Sequence, residues 1–139
     1  MAFNFLVVDD DEVNLYIMTR LVEKTRFKTN MVTRTDGNLG VEYLEELITN
    51  KETLPKLIFV DINMPRSDGW EFLEKYRELN VAKETDVYML TSSVFDIDIE
   101  KSKNYEFLSG FISKPITVQK LDELFAESGA ETAALAGDY

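Results

Sequence analysis

The chain has 139 residues, 26 of them acidic and 15 basic, with no cysteine and no histidine, and its net charge is −11. This length fits a single domain that can bury a core of its own. The composition excludes disulfides, thiolate or imidazole metal ligands and any catalytic histidine from this chain, and the acidity disfavours binding to nucleic acid or an anionic membrane.

Short apolar runs alternate with amphipathic stretches in the first half of the chain. Residues 3–8 predict a strand that ends at a block of acidic residues, and residues 13–25 predict an amphipathic helix. Residues 28–33 predict a weaker strand, and residues 39–48 predict a second helix. Residues 57–60 form the continuous apolar run that is typical of a strand buried on both faces. The apolar faces of the two helices comprise Ile17, Met18, Leu21 and Val22 in the first, and Leu44, Leu47 and Ile48 in the second.

The same alternation continues through the second half. Asp68-Gly69 opens a helix that continues to Leu79, and residues 87–90 predict a fourth buried strand. Residues 96–104 predict a poorly patterned helix, and residues 108–113 predict a fifth strand. A last helix, with a clear apolar face, is predicted over residues 117–126.

Five repeats of strand and helix predict an α/β domain built on a doubly wound parallel sheet with helices on both faces. We expect the domain to cover residues 1–127. Residues 128–139 are mostly small, with acidic and no basic side chains, and we expect them to form a disordered tail. In sheets of this kind, ligands bind beyond the carboxyl ends of the strands. The polar residues at those ends are therefore the candidate site.

Polar side chains end four of the five predicted strands. Asp9 and Asp10 end the first strand, Asp61 the third, Thr91 the fourth and Lys114 the fifth. Crowded carboxylates raise one another's pKa unless a cation offsets them, and Mg²⁺ suits a site made only of oxygen ligands. A carboxylate can act as the nucleophile that forms an aspartyl-phosphate, while a metal, a lysine and a hydroxyl neutralise the transferred group. The set predicts Mg²⁺-dependent phosphoryl transfer.

Five segments resemble the motifs of response regulator receiver domains, in the same order and at the same strand ends. They are Val7-Val8-Asp9-Asp10, Phe59-Val60-Asp61-Ile62-Asn63-Met64-Pro65, Asp68-Gly69, Leu90-Thr91-Ser92 and Phe111-Ile112-Ser113-Lys114-Pro115. The resemblance covers nearly the whole chain. It implies the flavodoxin-like (βα)5 fold with strand order 2-1-3-4-5, which is carried over from the family.

The resemblance also implies a role for each acidic residue of the site. Asp61 would be the phosphoacceptor. Asp9, Asp10 and Asp61 would bind Mg²⁺ through their carboxylates, Asp9 directly or through water, and Asn63 would offer its backbone carbonyl.

The remaining site residues would bind the phosphoryl group and report its presence. Thr91 and Lys114 would contact phosphoryl oxygens, and the Lys114–Pro115 bond resembles the cis peptide of the family. Thr91 and Phe111 would form the switch, in which the aromatic ring moves inward when the threonine is drawn to the phosphate. Trp70 is assigned to packing.

The implied function is a phosphorylation-dependent signalling switch of the two-component phosphorelay. Because the chain has no histidine, a histidine kinase or phosphotransfer protein must donate the phosphate in trans. The output would be binding to a downstream protein, through the face formed by the fourth helix, the fifth strand and the fifth helix. No apolar run is long enough to span a bilayer and the N-terminus lacks the basic region of a signal peptide, so we expect a cytoplasmic protein with no nucleic-acid or membrane partner.

Two alternatives remain at this point. A haloacid-dehalogenase-type phosphatase also combines an aspartate nucleophile with Thr, Lys and Mg²⁺, but it normally carries Asp-x-Asp early in the chain. Here the strand that ends at Asp61 is the third, and the residue two positions beyond Asp61 is Asn63 rather than a second acid. A degenerate receiver would serve only as a scaffold. The intact set of acceptor, metal ligands, threonine and lysine favours the switch, which would catalyse only its own phosphorylation and dephosphorylation.

Overall fold

Strands and helices alternate along the chain in a computed structural model, which describes residues 3–64, 68–92 and 95–129. The five strands are β1 (Phe3–Val8), β2 (Thr29–Arg34), β3 (Leu57–Asp61), β4 (Asp86–Thr91) and β5 (Leu108–Ser113). The five helices are α1 (Glu12–Glu23), α2 (Gly37–Thr49), α3 (Gly69–Glu78), α4 (Asp96–Ser102) and α5 (Val118–Glu127). Pro65 and most of the predicted tail lie outside the described residues.

All strand pairs are parallel, and the sheet has the order β2-β1-β3-β4-β5. This confirms the predicted fold and strand order. The register pairs Val8 with Val60, and Asp61 with Leu90. The carboxyl ends of β1, β3 and β4 therefore meet at one edge of the sheet.

The sheet separates two apolar cores, because successive side chains of a strand point to opposite faces. Val8 and Val60 contribute to the core beneath α2 and α3, whereas Val7 and Phe59 contribute to the core beneath α1 and α5. Every residue of β3 is buried. The strand that carries Asp61 is thus packed on both faces, which is the arrangement that its apolar run predicts.

Capping side chains determine where four of the helices begin. Asp11, Asp36 and Asp68 accept backbone N–H groups at the starts of α1, α2 and α3, and Thr117 does so for α5. The cap by Asp36 explains why α2 begins at Gly37, ahead of the first apolar residue of the predicted helix.

Two apolar residues that were expected on the buried helix faces are partly exposed. The buried residues of α1 are Leu15, Met18 and Val22, and Ile17 lies beside this row with 46% of its surface exposed. The prediction that Ile48 faces the core is also wrong, since 39% of its surface is exposed. In both helices the buried face is narrower than the apolar face that the sequence predicts.

None of the side chains of α4 is buried, which agrees with the weak apolar pattern of its sequence.

Within the described residues, no helix combines the length and the apolar character that crossing a bilayer requires.

Candidate functional site

Three carboxylates that lie far apart in the sequence meet at the carboxyl edge of the sheet. Asp9, Asp10 and Asp61 each offer a carboxylate oxygen, and these atoms all lie within 4.8 Å of one another. Asp9 and Asp61 are buried, with only 2% and 5% of their surfaces exposed. The structure therefore brings together the three acidic residues that the sequence singles out.

Lys114 supplies positive charge to this cluster. Its Nζ lies 3.3 Å from Asp9 Oδ2 and 3.1 Å from Asp61 Oδ2. The backbone N–H of Lys114 donates to the carbonyl of Thr91 at 2.8 Å, which joins the end of β5 to the end of β4. The peptide bond between Lys114 and Pro115 is cis, as the resemblance implies. One ammonium against three carboxylates leaves the ionised cluster with two negative charges in excess.

The pKa values of the cluster reflect this imbalance. Burial raises the pKa of the Asp9 carboxyl, and the nearby charge of Asp61 raises it further, although the backbone N–H of Asp11 and the charge of Lys114 oppose them. Burial alone would lower the pKa of Lys114, but its hydrogen bond to Asp61 and the charges of both carboxylates outweigh burial and raise it. The ammonium is therefore held in its charged form, while a negative charge on Asp9 is disfavoured.

The donor set fits a hard divalent cation. The ligand atoms of Asp9, Asp10 and Asp61 are all oxygens, and the two excess negative charges match the charge of one such ion. Asp61 is already oriented, because its Oδ1 accepts the backbone N–H of Asn63 at 3.1 Å while its Oδ2 faces Lys114. Asn63 thus lies beside the Asp61 carboxylate.

The first residue of α3 packs against the backbone of Asp61 and Ile62. The N–H of Gly69 donates to the carbonyl of Ile62 at 3.0 Å. A Cβ atom at position 69 would lie only 2.7 Å from the carbonyl oxygen of Asp61, so this approach requires glycine. Asp68-Gly69 consequently positions the start of α3 against the end of β3, as its turn chemistry predicts.

The two residues that the sequence assigns to the switch lie on adjacent strands. Thr91 is 2% exposed at the end of β4 and pairs with Ser113, while Phe111 pairs with Met89. Because residues two apart on a strand share a face, Thr91 and Phe111 belong to the same face of the sheet. Phe111 is half-buried.

Trp70 has contacts that sequence reasoning missed when it assigned this residue to packing. Its ring centroid lies 6.3 Å from that of Phe111 and 5.7 Å from that of Tyr105, and the ammonium of Lys101 lies 5.1 Å from the ring centroid. No sequence pattern links these positions, because they lie on separate elements.

A cavity of about 370 Å³ opens next to the charged cluster, and sequence reasoning missed it as well. Asp9 and Lys114 line one part of it, and apolar residues of α1, among them Ile17 and Met18, line another. The partial exposure of Ile17 is explained by this opening. Lys114 can thus be reached from outside the sheet.

Comparisons with known proteins agree with this geometry. Residues 5–126 match the family model of the response regulator receiver domain. The chain is 30% identical over 118 residues to the chemotaxis protein CheY1 of Helicobacter pylori, which covers 85% of this chain and 90% of that protein.

Solved structures give the same result. A two-component response regulator from Cytophaga hutchinsonii has a TM-score of 0.81 at 26% identity, with 92% of this chain and 98% of that chain covered. A response regulator from Legionella pneumophila has a TM-score of 0.76 at 28% identity, with 90% and 96% covered. The chain belongs to the response regulator receiver domain family, whose members are phosphorylation-dependent switches of two-component signalling.

Proposed function

We propose that Asp61 accepts the phosphoryl group that operates this switch. The observation that carries the proposal is the cluster at the sheet edge, where Lys114 bridges Asp9 and Asp61 and two negative charges remain in excess. Asp61 ends a fully buried strand, and hydrogen bonds from Asn63 and Lys114 fix its carboxylate. A nucleophile held in this way needs little reorganisation before it reacts.

The donor is a phosphohistidine on a histidine kinase or phosphotransfer protein, and its histidine lies outside this chain, which contains none. A carboxylate oxygen of Asp61 forms a bond to phosphorus, and the bond between phosphorus and the imidazole nitrogen breaks. The electron pair of that bond leaves with the imidazole, which then takes up a proton. The product is an aspartyl-phosphate on this chain.

We assign the resident cation as Mg²⁺, held by the carboxylates of Asp9, Asp10 and Asp61 and by the backbone carbonyl of Asn63. When bound, the ion neutralises charge on the transferred group. Lys114 also supplies positive charge to the transferred group, since its ammonium lies 3.1 Å from Asp61 Oδ2.

The hydroxyl of Thr91 donates to a phosphoryl oxygen, and this contact shifts Phe111 on the neighbouring strand. The change reaches the face formed by α4, β5 and α5, which then binds a downstream protein. Protein binding suits this chain because its net charge of −11 disfavours nucleic acid and anionic lipid. The chain catalyses only the formation and loss of its own phosphate.

Beryllofluoride with Mg²⁺ tests the proposal, because this anion stands in for a phosphoryl group on a carboxylate. Trp70 is the single tryptophan of the chain, so its fluorescence reports binding near the acceptor loop. We expect saturable binding that requires Mg²⁺, and after treatment with acetyl phosphate one added phosphoryl group per chain by intact mass.

Asp61→Asn should abolish both signals, while Asp96→Asn, which alters an exposed acidic residue of α4, should leave them unchanged. Equal labelling of Asp61→Asn and the wild type would contradict the proposed acceptor. Sustained turnover of an aryl phosphate by the wild type would instead favour a phosphatase.

A further inference from the structure

The fourth helix is held loosely. None of the side chains of α4 is buried, and Phe95, Ile97 and Ile99 expose 63%, 74% and 46% of their surfaces. A helix that buries so little apolar surface gains little packing energy, so its position costs little to change. Individual contacts to neighbouring elements therefore have a large influence on where α4 lies.

One such contact joins the last turn of α4 to the first turn of α3. The ammonium of Lys101 lies 5.1 Å from the ring centroid of Trp70, which is itself only 6% exposed. A cation over the face of an indole is attracted by the ring quadrupole, and tryptophan is the strongest of the aromatic partners. The contact is favourable only while the ring keeps its present orientation.

The orientation of that ring depends on its aromatic neighbours. Trp70 meets Phe111 at 68° with centroids 6.3 Å apart, and it meets Tyr105 at 31° with centroids 5.7 Å apart. Phe111 lies on β5 and carries the switch role in the proposed function. Trp70 consequently contacts both Phe111 and α4.

The loop after α4 is anchored separately. Tyr105 donates its hydroxyl to Glu74 Oε1 at 2.9 Å, and the guanidinium of Arg77 lies 4.8 Å from the centroid of the Tyr105 ring. Arg77 also donates to the backbone carbonyl of Asn104. The loop is therefore fixed to α3, which leaves the helix itself to respond to Lys101 and Trp70.

We propose that Trp70 is a positioning residue that couples Phe111 to α4 through the cation–π contact with Lys101. This inference rests on the proposed function, since it takes Phe111 to be the element that moves. In the resting form the contact holds α4 in place, and a displaced Phe111 changes the face that Trp70 presents to the ammonium. Coupling between two sites is reciprocal, so removal of Lys101 must in turn favour the phosphorylated arrangement.

The test compares two lysines at the same end of α4. Lys101→Ala removes the contact with Trp70, whereas Lys103→Ala removes an exposed lysine that pairs with Glu100 at 2.8 Å. Both changes remove one positive charge near the carboxyl end of the helix, so their effects on the helix dipole and on the charge of the protein are matched. The measurement is the dissociation constant of beryllofluoride at saturating Mg²⁺, followed by the fluorescence of Trp70.

We expect Lys101→Ala to bind beryllofluoride about two- to fivefold more tightly than the wild type, which is the size of an exposed cation–π contact. Lys103→Ala should have the same dissociation constant for beryllofluoride as the wild type. Lys101→Arg retains a cation, and its dissociation constant should also be close to that of the wild type. Amide hydrogen exchange in α4 without beryllofluoride should be faster in Lys101→Ala than in Lys103→Ala.

An unchanged or weaker affinity in Lys101→Ala, or an equal gain in both alanine variants, would overturn the coupling while leaving the proposed acceptor intact. If the wild type itself does not bind beryllofluoride, the proposed function fails and the coupling fails with it. The two failures are therefore distinguishable from the wild-type titration alone.

Discussion

The ammonium of Lys114 lies 3.1 Å from Asp61 Oδ2, and the two residues form an ion pair at the carboxyl edge of the sheet. The lysine side chain is 22% exposed and the aspartate side chain 8%, so solvent screens the pair only in part. The same ammonium also contacts Asp9. Loss of this one cation leaves two buried carboxylates without compensation.

Lys114→Met should therefore destabilise the Mg²⁺-free protein by about 2 kcal/mol, which allows for the partial exposure of the lysine. Saturating Mg²⁺ should recover part of this loss, because the ion restores positive charge to the cluster. Urea denaturation with EDTA and with Mg²⁺ measures both values. The control is Lys120→Met, at an exposed position of α5, which should change stability little in either condition. Equal losses for Lys114→Met with and without Mg²⁺ would contradict the proposed metal site.

In the absence of metal, Asp9→Asn should increase the stability of the folded protein, whereas Lys114→Met decreases it. Burial raises the pKa of Asp9 in the folded protein, so its ionisation costs stability as the pH rises above the ordinary value of a carboxyl group. The variant removes this cost and should be more stable than the wild type by about 1 kcal/mol at neutral pH. The advantage should vanish at acidic pH, where Asp9 is protonated in both the folded and the unfolded chain.

Thermal unfolding across pH in EDTA checks this prediction, and Asp11→Asn is the matched control because asparagine caps a helix as well as aspartate does. Added Mg²⁺ should stabilise the wild type far more than Asp9→Asn. A destabilised Asp9→Asn variant in EDTA would show that the charge of Asp9 is compensated within the cluster.

The sequence predicts the fold and the cluster well because both depend on local pattern. The apolar run before Asp61 requires a strand that is buried on both faces, and parallel strands bring their polar ends to one edge. The convergence of Asp9, Asp10 and Asp61 then follows from the fold alone. The order of the strands, in contrast, came from the resemblance, and the register of β4 against β5, which shifts between Val87 and Tyr88, was not predicted.

The features that the sequence did not predict depend on which elements meet in three dimensions. Ile48 lies on the apolar face of α2, but 39% of its surface is exposed. The contact of Trp70 with Lys101 joins a buried helix face to the end of a helix without buried side chains. A lysine in a weakly patterned helix gives no signal in the sequence that distinguishes it from a solvated charge.

Gly69→Ala tests the close approach of α3 to β3, the strand that ends at Asp61. A Cβ atom there would lie 2.7 Å from the carbonyl oxygen of Asp61 and would also meet the end of the Met89 side chain. Because the backbone of a buried strand cannot give way, we expect a loss of about 2 kcal/mol in stability and weaker binding of beryllofluoride. Urea denaturation and the fluorescence titration measure the two effects.

Gly40→Ala provides the comparison, since its new Cβ would lie 2.9 Å from Val8 Cγ2 and 3.2 Å from the ring of Phe72, both of them side chains. Both side chains are buried and would have to move by a few tenths of an ångström, but alanine favours a helix over glycine by about 1 kcal/mol, which offsets part of that cost. The loss should therefore be smaller, with beryllofluoride binding unchanged. A Gly69→Ala variant that matches the wild type in both measurements would refute the role of Gly69.

Tyr76, in the last turn of α3, and Thr85, just before β4, form a buried hydroxyl pair. Their hydroxyl groups hydrogen bond to each other, and the two residues are 0% and 5% exposed. Tyr76→Phe and Thr85→Val should each cost about 1 to 2 kcal/mol, because each leaves the other hydroxyl buried without its partner. The double variant should lose about 1 kcal/mol less than the sum of the single losses, measured by urea denaturation.

The Tyr76–Thr85 pair also predicts how the stability of the protein changes at alkaline pH. Burial raises the pKa of the Tyr76 phenol, so the unfolded chain ionises first as the pH rises, and the folded state loses stability above pH 10. Tyr76→Phe has no phenol to ionise at this position, and its stability should therefore fall less steeply above pH 10 than that of the wild type. Thr85→Val keeps the phenol and should retain the steep dependence. Identical alkaline slopes for the two single variants would show that Tyr76 ionises equally in the folded and unfolded chain.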